Sequence, residues 1–356
     1  MKKEEIGKFT IKAESMIVEA MQKIDINANG LLFVLDEKEK LAGVITDGDI
    51  RRWIIKTGKI ADTSVDRVMN PNPKVIYTKD VALAGEFMEK YRITALPVLT
   101  LKNRISDIIL KNQKMEEDIS SKDSLKDIPV VIMAAGKGTR LYPYTKILPK
   151  PLIPIGEIPI MERIINEFLE FGSKEFIITV NYKRGMIKSY FAELNPDYNI
   201  KYVVEDKPLG TCGSIRLIEE KFDKPFFVTN CDILIHADYE DIYKRHQESG
   251  NEITMVTAAK NIQVPYGVIN SSEDGQIIAM EEKPKLTYFV NTGMYVLNSN
   301  LVEEIPEDTF YHMTDLVNKL MSEGRKVGIY PISEEAFLDM GELEEMERME
   351  RKLNLR

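Results

Sequence analysis

The chain has 356 residues with a formal net charge of −9, and 44% of its residues are hydrophobic. This length favours two domains, each able to bury a core of its own. The acidic balance argues against a broad nucleic-acid-binding surface but allows local basic pockets. The chain has two cysteines, no signal peptide and no apolar run long enough to cross a bilayer. These features predict a reduced, cytoplasmic protein that binds neither nucleic acid nor membrane.

The first third of the chain, residues 1 to about 118, contains an internal repeat. A strand, a turn and a second strand are predicted over 31–46, and the same pattern recurs without a gap over 95–110. An amphipathic helix is predicted ahead of each pair of strands. Two such α+β units resemble tandem CBS domains, with bounds of about 1–62 and 63–118. The resemblance implies that an adenine or guanine nucleotide, or a related ligand, binds between the two repeats.

The two repeats differ in the polar residues that follow their last strand. In the CBS family, a threonine and an aspartate at the positions of Thr46 and Asp49 contact the ligand's phosphate and ribose. The second repeat has Leu110 and Gln113 there, so we expect only the first site to bind nucleotide. The alternative is that Thr46 and Asp49 cap the helix that begins beside them. Because CBS pairs often associate into dimers, we also expect a homo-oligomer.

The second part of the chain reads as an α/β domain. Residues 119–127 end a polar, charged stretch and are predicted to be a linker, with the second domain over 128–356. Within this domain, strands alternate with helices, which predicts a Rossmann-like, doubly wound and mostly parallel sheet. Ligands of such sheets bind at the carboxyl ends of the strands.

Residues 130–159 form the most informative stretch of this domain. They begin as a buried strand and then break into a loop with Gly136 and Gly138. Glycines allow the backbone to approach a ligand closely, so that N–H groups can point at phosphate oxygens. Arg140 and Lys150 add two cations. The pattern therefore predicts a phosphate-binding loop.

This loop matches neither of two common phosphate-binding motifs. It lacks the spacing of a P-loop, and Leu141 stands where the dinucleotide fingerprint needs a third glycine. The run G-x-G-T-R-L-x-P-x-T, followed by P-K-P-L-x-P-I, instead resembles the signature of sugar nucleotidyltransferases. This resemblance implies catalytic roles for Arg140 and Lys150. It also implies nucleotide binding by the loop residues Ala134, Ala135, Gly136, Gly138 and Thr139.

Two aspartates are candidate metal ligands. Asp232 comes just past a buried apolar strand, where a carboxylate facing a triphosphate could hold Mg²⁺, a hard cation that prefers oxygen ligands. In the family this aspartate is a metal ligand, and Asp339 matches a second one near the end of the domain. The alternative for Asp232 is a turn or helix-cap residue.

The segment VVEDKPLGTCGSI resembles the family's base-recognition loop, with Glu205, Pro208 and Gly210 at matching positions. A glutamate can accept from both N1–H and N2–H₂ of guanine, a pairing that uracil and thymine do not offer. This favours GTP. The alternative is that Glu205 is a solvated carboxylate at the end of a strand.

Three further segments follow in the family's order, and the resemblance implies that they bind the sugar phosphate. The residues concerned are Gly267, Glu282, Lys283, Asn291 and Thr292. The three histidines have neither metal-ligand spacing nor a nucleophile partner, so we assign them no catalytic role. Cys212 and Cys231 lie close to the site motifs, where packing alone can explain them.

Together the motifs predict a Mg²⁺-dependent nucleotidyltransferase that acts on an NTP and a sugar 1-phosphate. A CBS pair ahead of such a domain resembles guanylyltransferases that make GDP-glucosamine for legionaminic acid synthesis. The alternatives are a mannose-1-phosphate guanylyltransferase or an enzyme that uses UTP, dTTP or CTP. A different class also remains open, a catalytically inactive protein that senses nucleotides. The intact set of Arg140, Lys150, Asp232 and Lys283 argues against that class.

Overall fold

The computed structural model divides the chain into two compact units. It describes residues 6–27, 29–60, 63–91, 93–110, 123–272 and 274–353. The first unit comprises the described residues of Met1–Glu117 with Ala258–Val290 and Ser333–Glu335. The second comprises those of Asp118–Thr257, Asn291–Ile332 and Ala336–Arg356.

The predicted repeat is present in the first unit as two matching sets of elements. The first set is β1 (Thr10–Lys12), α1 (Ile17–Asn27), β2 (Leu31–Leu35), β3 (Leu41–Thr46) and α2 (Asp47–Thr57). The second set is β4 (Ile76–Tyr77), α3 (Ala84–Tyr91), β5 (Ala95–Leu99) and β6 (Ile105–Leu110). In both sets the first strand pairs in parallel with the second, which pairs antiparallel with the third. Both hairpins also carry a register shift at the same repeat position.

A shared apolar cluster joins the two three-stranded sheets. Its buried members come from both repeats and are Phe9, Leu31, Phe33, Ala95 and Ile108. The backbone N–H of Leu41 also donates to the carbonyl oxygen of Asn103 at 2.9 Å. A three-stranded sheet of this size covers little apolar surface by itself, so each repeat buries its strands against the other.

Thr46 and Asp49 form a capping box at the start of α2. The Thr46 Oγ1 accepts from the Asp49 backbone N–H at 3.1 Å, and the Asp49 carboxylate accepts from the Thr46 N–H at 3.0 Å. Arg52 forms an ion pair with Asp49 from the next turn. The helix-capping alternative is therefore confirmed, while nucleotide binding by these residues stays a prediction. Leu110 ends β6, and Gln113 lies outside the described residues.

The second unit is built around a seven-stranded sheet. From residue 130 onward the strands are β7 (Val130–Ala134), β8 (Pro154–Ile155), β9 (Ile158–Pro159), β10 (Glu175–Val180), β11 (Asn199–Val204), β12 (Phe226–Asn230), β13 (Ile233–Ile235), β14 (Ile253–Gln263), β15 (Gly267–Ser271), β16 (Ile277–Glu282), β17 (Lys285–Leu297), β18 (Val327–Ser333) and β19 (Phe337–Asp339). Of these, the β15–β16 hairpin belongs to the first unit. The helices are α4 (Tyr144–Ile147), α5 (Ile160–Leu169), α6 (Arg184–Leu194), α7 (Tyr239–Ser249), α8 (Met313–Ser322) and α9 (Leu343–Leu353).

The strand order in this sheet is β11-β10-β7-β12-β17-β14-β18. The first four strands are parallel, and β17 runs antiparallel to β12. The central strands β7, β10 and β12 are almost entirely buried, as expected for parallel strands that are covered on both faces. The predicted α/β class is confirmed, and the carboxyl ends of these three strands lie at one edge of the sheet.

Part of the predicted linker packs onto the second unit. Leu125 is buried, its N–H donates to the carbonyl oxygen of Phe171 at 2.9 Å, and its own carbonyl accepts from the Ser173 hydroxyl at 3.3 Å. The polar composition of this stretch gave no indication that Leu125 would be buried. Residues 119–122 of the predicted linker lie outside the described residues.

Among the described helices, none has the length and apolar character needed to cross a membrane.

Candidate active site

Two of the predicted motifs meet at the carboxyl edge of the sheet. The parallel strands β7 and β12 are neighbours, and Met133 pairs with Asn230 near their ends. The phosphate-binding loop leaves the sheet after Ala134, and Asp232 follows two residues after β12. Strand pairing alone therefore brings the loop and the aspartate to one place, as the sequence predicts.

The phosphate-binding loop packs tightly against Thr145 and Lys150 at Gly138. This residue has a left-handed φ of 64°, and a Cβ added there would lie 3.0 Å from Thr145 Cγ2 and 3.1 Å from Lys150 Cβ. The buried Thr145 also donates its hydroxyl to the Gly138 carbonyl oxygen at 2.8 Å. Glycine suits both the φ and the crowding. Gly136 and Thr139 are exposed, so this side of the loop is accessible to a ligand.

Lys150 and Asp232 form an ion pair at the base of the site. Their side chains are only 10% and 17% exposed. A lysine this deeply placed needs a partner, because burial of an unpaired charge costs several kcal/mol. The pair thus fixes the position of the predicted metal-binding carboxylate and joins the loop to β12.

Asp339 is brought beside Asp232 by a two-stranded ladder. Strands β13 and β19 are antiparallel, Ile233 pairs with Asp339, and the Met340 N–H donates to the Asp232 carbonyl oxygen at 2.8 Å. Burial raises the pKa of Asp339, and the charge of Asp232 raises it further, whereas Lys150 and Arg140 act in the opposite direction. Asp232, Lys150 and Arg140 are therefore all close enough to Asp339 to affect its charge.

Glu205 lies buried at the end of β11, with 3% of its surface exposed. Its carboxylate accepts from the Leu209 N–H at 3.3 Å. Burial raises its pKa, and hydrogen bonds from Ser214 and Leu209 partly offset this effect. The alternative of a solvated carboxylate is wrong, because the loop folds back over the side chain. Pro208, at the outside of the same loop, is exposed.

The base-recognition loop rests on a segment that the sequence analysis missed. Gly210 has a φ of 82°, and a Cβ added there would lie 2.5 Å from the Tyr311 carbonyl oxygen. The N–H groups of Cys212 and Gly213 both donate to this oxygen, at 3.0 and 3.1 Å. His312 Nδ1 accepts from the Thr211 N–H at 3.4 Å. No local pattern indicates these contacts, which join segments far apart in the chain.

The predicted sugar-phosphate residues fall into two groups. Gly267 pairs with Glu282 at the open end of the β15–β16 hairpin of the first unit, where Lys283 follows with a φ of 50°. In the second unit, Asn291 donates to the Tyr295 hydroxyl at 2.6 Å. Thr292 is 3% exposed and donates to the Val256 carbonyl oxygen at 2.7 Å. Thr292 thus has a backbone partner, and sugar binding by all five residues stays a prediction.

The histidines and cysteines make packing and support contacts. His246 is buried between Thr254 and Asn298, at 2.9 and 3.1 Å, and burial lowers its pKa. Burial raises the pKa of both cysteines, Cys212 and Cys231, to about 12. Such thiols stay protonated at neutral pH and are poor nucleophiles.

The turn after β10 is another set of residues that sequence reasoning missed. Asn181, Tyr182 and Lys183 contact the two nucleotide loops. They follow a buried strand at the same edge of the sheet as the other motifs, and this position was the available signal.

Within the described residues, no group of three or more His, Cys, Asp or Glu side chains could hold a metal ion. Any metal here would need ligands beyond the two aspartates.

Comparisons with protein families match both parts of the chain. Residues 129–354 match the nucleotidyl transferase family, and residues 2–56 match the CBS domain family. The second repeat has the strand pairing of the first, although the match covers the first alone.

Two curated relatives are similar to the transferase part. A UTP–glucose-1-phosphate uridylyltransferase from Synechocystis sp. is 32% identical over 54% of this chain and 55% of its own. A mannose-1-phosphate guanyltransferase from Emericella nidulans is 32% identical over 49% of this chain and 50% of its own. The chain thus spans about half the length of the curated relatives it matches. These two relatives use different bases.

One solved structure has the same fold. It is a Bacillus anthracis protein, provisionally assigned as a glucose-1-phosphate thymidylyltransferase and crystallised with sucrose. Its TM-score is 0.51 at 22% identity, over 63% of this chain and 94% of its own.

The packing of Gly210 leads to a prediction about the base-recognition loop. We expect Gly210→Ala to lower the free energy of unfolding by about 2 kcal/mol, because alanine is strained at positive φ and its Cβ would displace the Tyr311 carbonyl. Gly185→Ala in α6 is the matched control, since a Cβ there meets no atom within 4 Å and alanine favours the helix. Urea denaturation of both variants measures the difference. Equal stabilities would contradict the close packing of the loop.

Proposed function

Because this chain belongs to the nucleotidyl transferase family, we propose that it joins a nucleoside triphosphate to a sugar 1-phosphate and releases pyrophosphate. The observation that carries this proposal is the charged cluster at the carboxyl edge of the sheet. Lys150 and Asp232 form its buried ion pair, Asp339 ends the strand that pairs with β13 just after Asp232, and the phosphate-binding loop packs against Lys150.

The reaction is a displacement at phosphorus. An oxygen of the sugar phosphate attacks the α-phosphorus, the bond from this phosphorus to the oxygen that bridges to the β-phosphate breaks, and pyrophosphate leaves with the electron pair. The attacking phosphate is already ionised, so no general base is needed. Catalysis then depends on holding the reactants in line and on neutralising charge.

The two aspartates fit a divalent cation such as Mg²⁺. Asp232 immediately precedes β13, which pairs with the strand that ends at Asp339, and the charge of Asp232 raises the pKa of Asp339. A cation between them relieves this repulsion, and phosphate oxygens and water can complete its coordination. When bound, the ion supplies positive charge at the α-phosphate. The ion pair with Lys150 fixes the position of the Asp232 carboxylate.

The two cations of the loop have different proposed roles. Lys150 is buried and paired with Asp232, so it sets the carboxylate's position and adds positive charge beneath the phosphates. Arg140 is exposed at the same edge, where a guanidinium can bind the departing pyrophosphate with two parallel hydrogen bonds. Both cations stabilise the negative charge that builds up on the departing pyrophosphate in the transition state.

For the substrates we propose GTP and glucosamine 1-phosphate, with mannose 1-phosphate as the alternative. The proposal of a guanine base rests on Glu205, because a carboxylate can accept from two adjacent N–H groups. The choice of sugar rests on the arrangement of a CBS domain ahead of a transferase. Gly267, Glu282, Lys283, Asn291 and Thr292 remain the proposed sugar-phosphate contacts.

The substrate proposal is tested by pyrophosphate release from the full chain. GTP, UTP, dTTP, CTP and ATP would each be offered with glucosamine, mannose and glucose 1-phosphates, with Mg²⁺ or with excess EDTA. We expect GTP to give the highest kcat/KM and EDTA to abolish turnover. A preference for UTP or CTP would refute the base assignment. No release with any pair would favour the inactive, nucleotide-sensing class.

The metal assignment predicts the effect of Asp232→Asn. We expect turnover to fall by about a hundredfold or more, because the change removes a metal ligand and leaves Lys150 without its partner. The matched control is Asp197→Asn at a side chain that is 84% exposed. Steady-state kinetics at saturating Mg²⁺ would measure both variants, with circular dichroism to check folding. Near-normal turnover in Asp232→Asn would be inconsistent with the assignment.

For the first repeat we propose a regulatory nucleotide site at Thr46 and Asp49. A ligand there must compete with the capping box, since both side chains already bond to the backbone at the start of α2. We expect calorimetry with AMP, ADP, ATP and guanine nucleotides to detect a binding site that Asp49→Ala removes. If every titration of this variant matches the wild type, Thr46 and Asp49 are helix caps alone.

A further inference from the structure

The turn that joins β10 to α6 contacts both nucleotide loops at once. We propose that its residues Asn181, Tyr182 and Lys183, here called the brace turn, are positioning residues that hold the phosphate-binding loop and the base-recognition loop in a fixed relation. The roles of the two loops in binding phosphate and base are taken from the proposed function. The contacts that join the turn to these loops are hydrogen bonds among described residues.

Lys183 and Tyr182 hold the short helix α4 of the phosphate-binding loop. The Lys183 ammonium donates to the carbonyl oxygens of Lys146 and Ile147, at 2.5 and 2.6 Å. The Tyr182 hydroxyl donates to the carbonyl oxygen of Thr145 at 3.1 Å. The last carbonyls of a helix have no partners within it, and a cation there also matches the helix dipole. The four-residue α4 is thus capped by the brace turn.

The effect of these bonds extends to the phosphate-binding backbone. Thr145 receives the Tyr182 hydrogen bond at its carbonyl and donates its own hydroxyl to the Gly138 carbonyl at 2.8 Å. Gly138 packs against Lys150, the partner of Asp232. Two consecutive hydrogen bonds therefore connect the brace turn to the loop that would bind the triphosphate.

Asn181 fixes the other loop. Its side-chain amide donates to the Glu205 carbonyl oxygen at 2.7 Å, and the Glu205 N–H donates to the Val180 carbonyl at 3.0 Å. The first residue of the base-recognition loop is thus held through both its N–H and its C=O. A base bound beside Glu205 and phosphates bound at Gly138 would keep their separation only if both loops stay in place.

The backbone conformation of the brace turn indicates that Lys183 is present for the contacts of its side chain. Lys183 has φ 52° and ψ 31°, a left-handed conformation that costs a non-glycine residue free energy. Glycine or asparagine would adopt it more readily. The lysine's contribution is therefore its side chain, which here reaches two carbonyls of the neighbouring loop.

The kinetic test compares variants of the full chain. We expect Lys183→Met to raise the KM for the NTP by about tenfold to a hundredfold, because it removes hydrogen bonds from a charged donor. Tyr182→Phe should raise this KM by about threefold to tenfold, because it removes a neutral hydrogen bond. The KM for the sugar 1-phosphate should change less than twofold. Lys183→Arg should restore most of the NTP affinity, because a guanidinium can donate to both carbonyls. Arg184→Met is the control, since it removes an adjacent exposed charge.

A second measurement does not depend on activity. Amide hydrogen exchange over residues 144–148 should be faster in Lys183→Met than in Arg184→Met, because α4 loses its cap. Equal exchange in these two variants would overturn the proposal. So would faster exchange with unchanged NTP KM in an active enzyme, which would leave the turn a purely structural element.

The two proposals fail in different ways. If wild-type protein releases no pyrophosphate with any substrate pair, the proposed function fails, and the exchange measurement still decides whether the turn holds α4. If wild-type protein is active and Asn181→Leu leaves the ratio of GTP to UTP kcat/KM unchanged, the link from the turn to the base-recognition loop is wrong. A fall in that ratio supports it.

Discussion

The candidate site depends on one buried ion pair, between Lys150 and Asp232. The lysine comes from the proline-rich segment after β7, and the aspartate follows the neighbouring strand β12. Each charge is costly to bury alone, so each requires the other in the folded state. This requirement ties the loop that carries Lys150 to the sheet edge and fixes the position of the Asp232 carboxylate there. Loss of either partner would leave an uncompensated charge in the site.

The other elements of the site are positioned by backbone hydrogen bonds. The β13–β19 ladder places Asp339 beside Asp232, and the segment at Tyr311 supports the base-recognition loop through its carbonyl oxygen. Backbone hydrogen bonds of this kind do not depend on side-chain identity. The geometry at these positions is therefore set largely by the backbone.

In the two repeats of the first unit, similar backbone structure carries different side-chain chemistry. The two hairpins share their pairing, their register shift and a common apolar cluster. Only the first ends in a threonine and an aspartate that can bond to a helix start or to a ligand. The fold needs both repeats for burial, whereas nucleotide binding would need the polar residues of one.

The sequence by itself predicted the buried strands that end before the glycine loop, before Asp232 and at Glu205, because each is an apolar run that a polar motif directly follows. It also indicated which edge of the sheet they share, since parallel strands end on the same side. Tertiary structure alone decided that Glu205 is buried, that Lys150 pairs with Asp232 and that the turn at Lys183 reaches α4. These contacts join residues far apart in the chain. Hydrophobic periodicity reports only which face of an element is buried, so it carries no information about which distant partner a polar side chain meets.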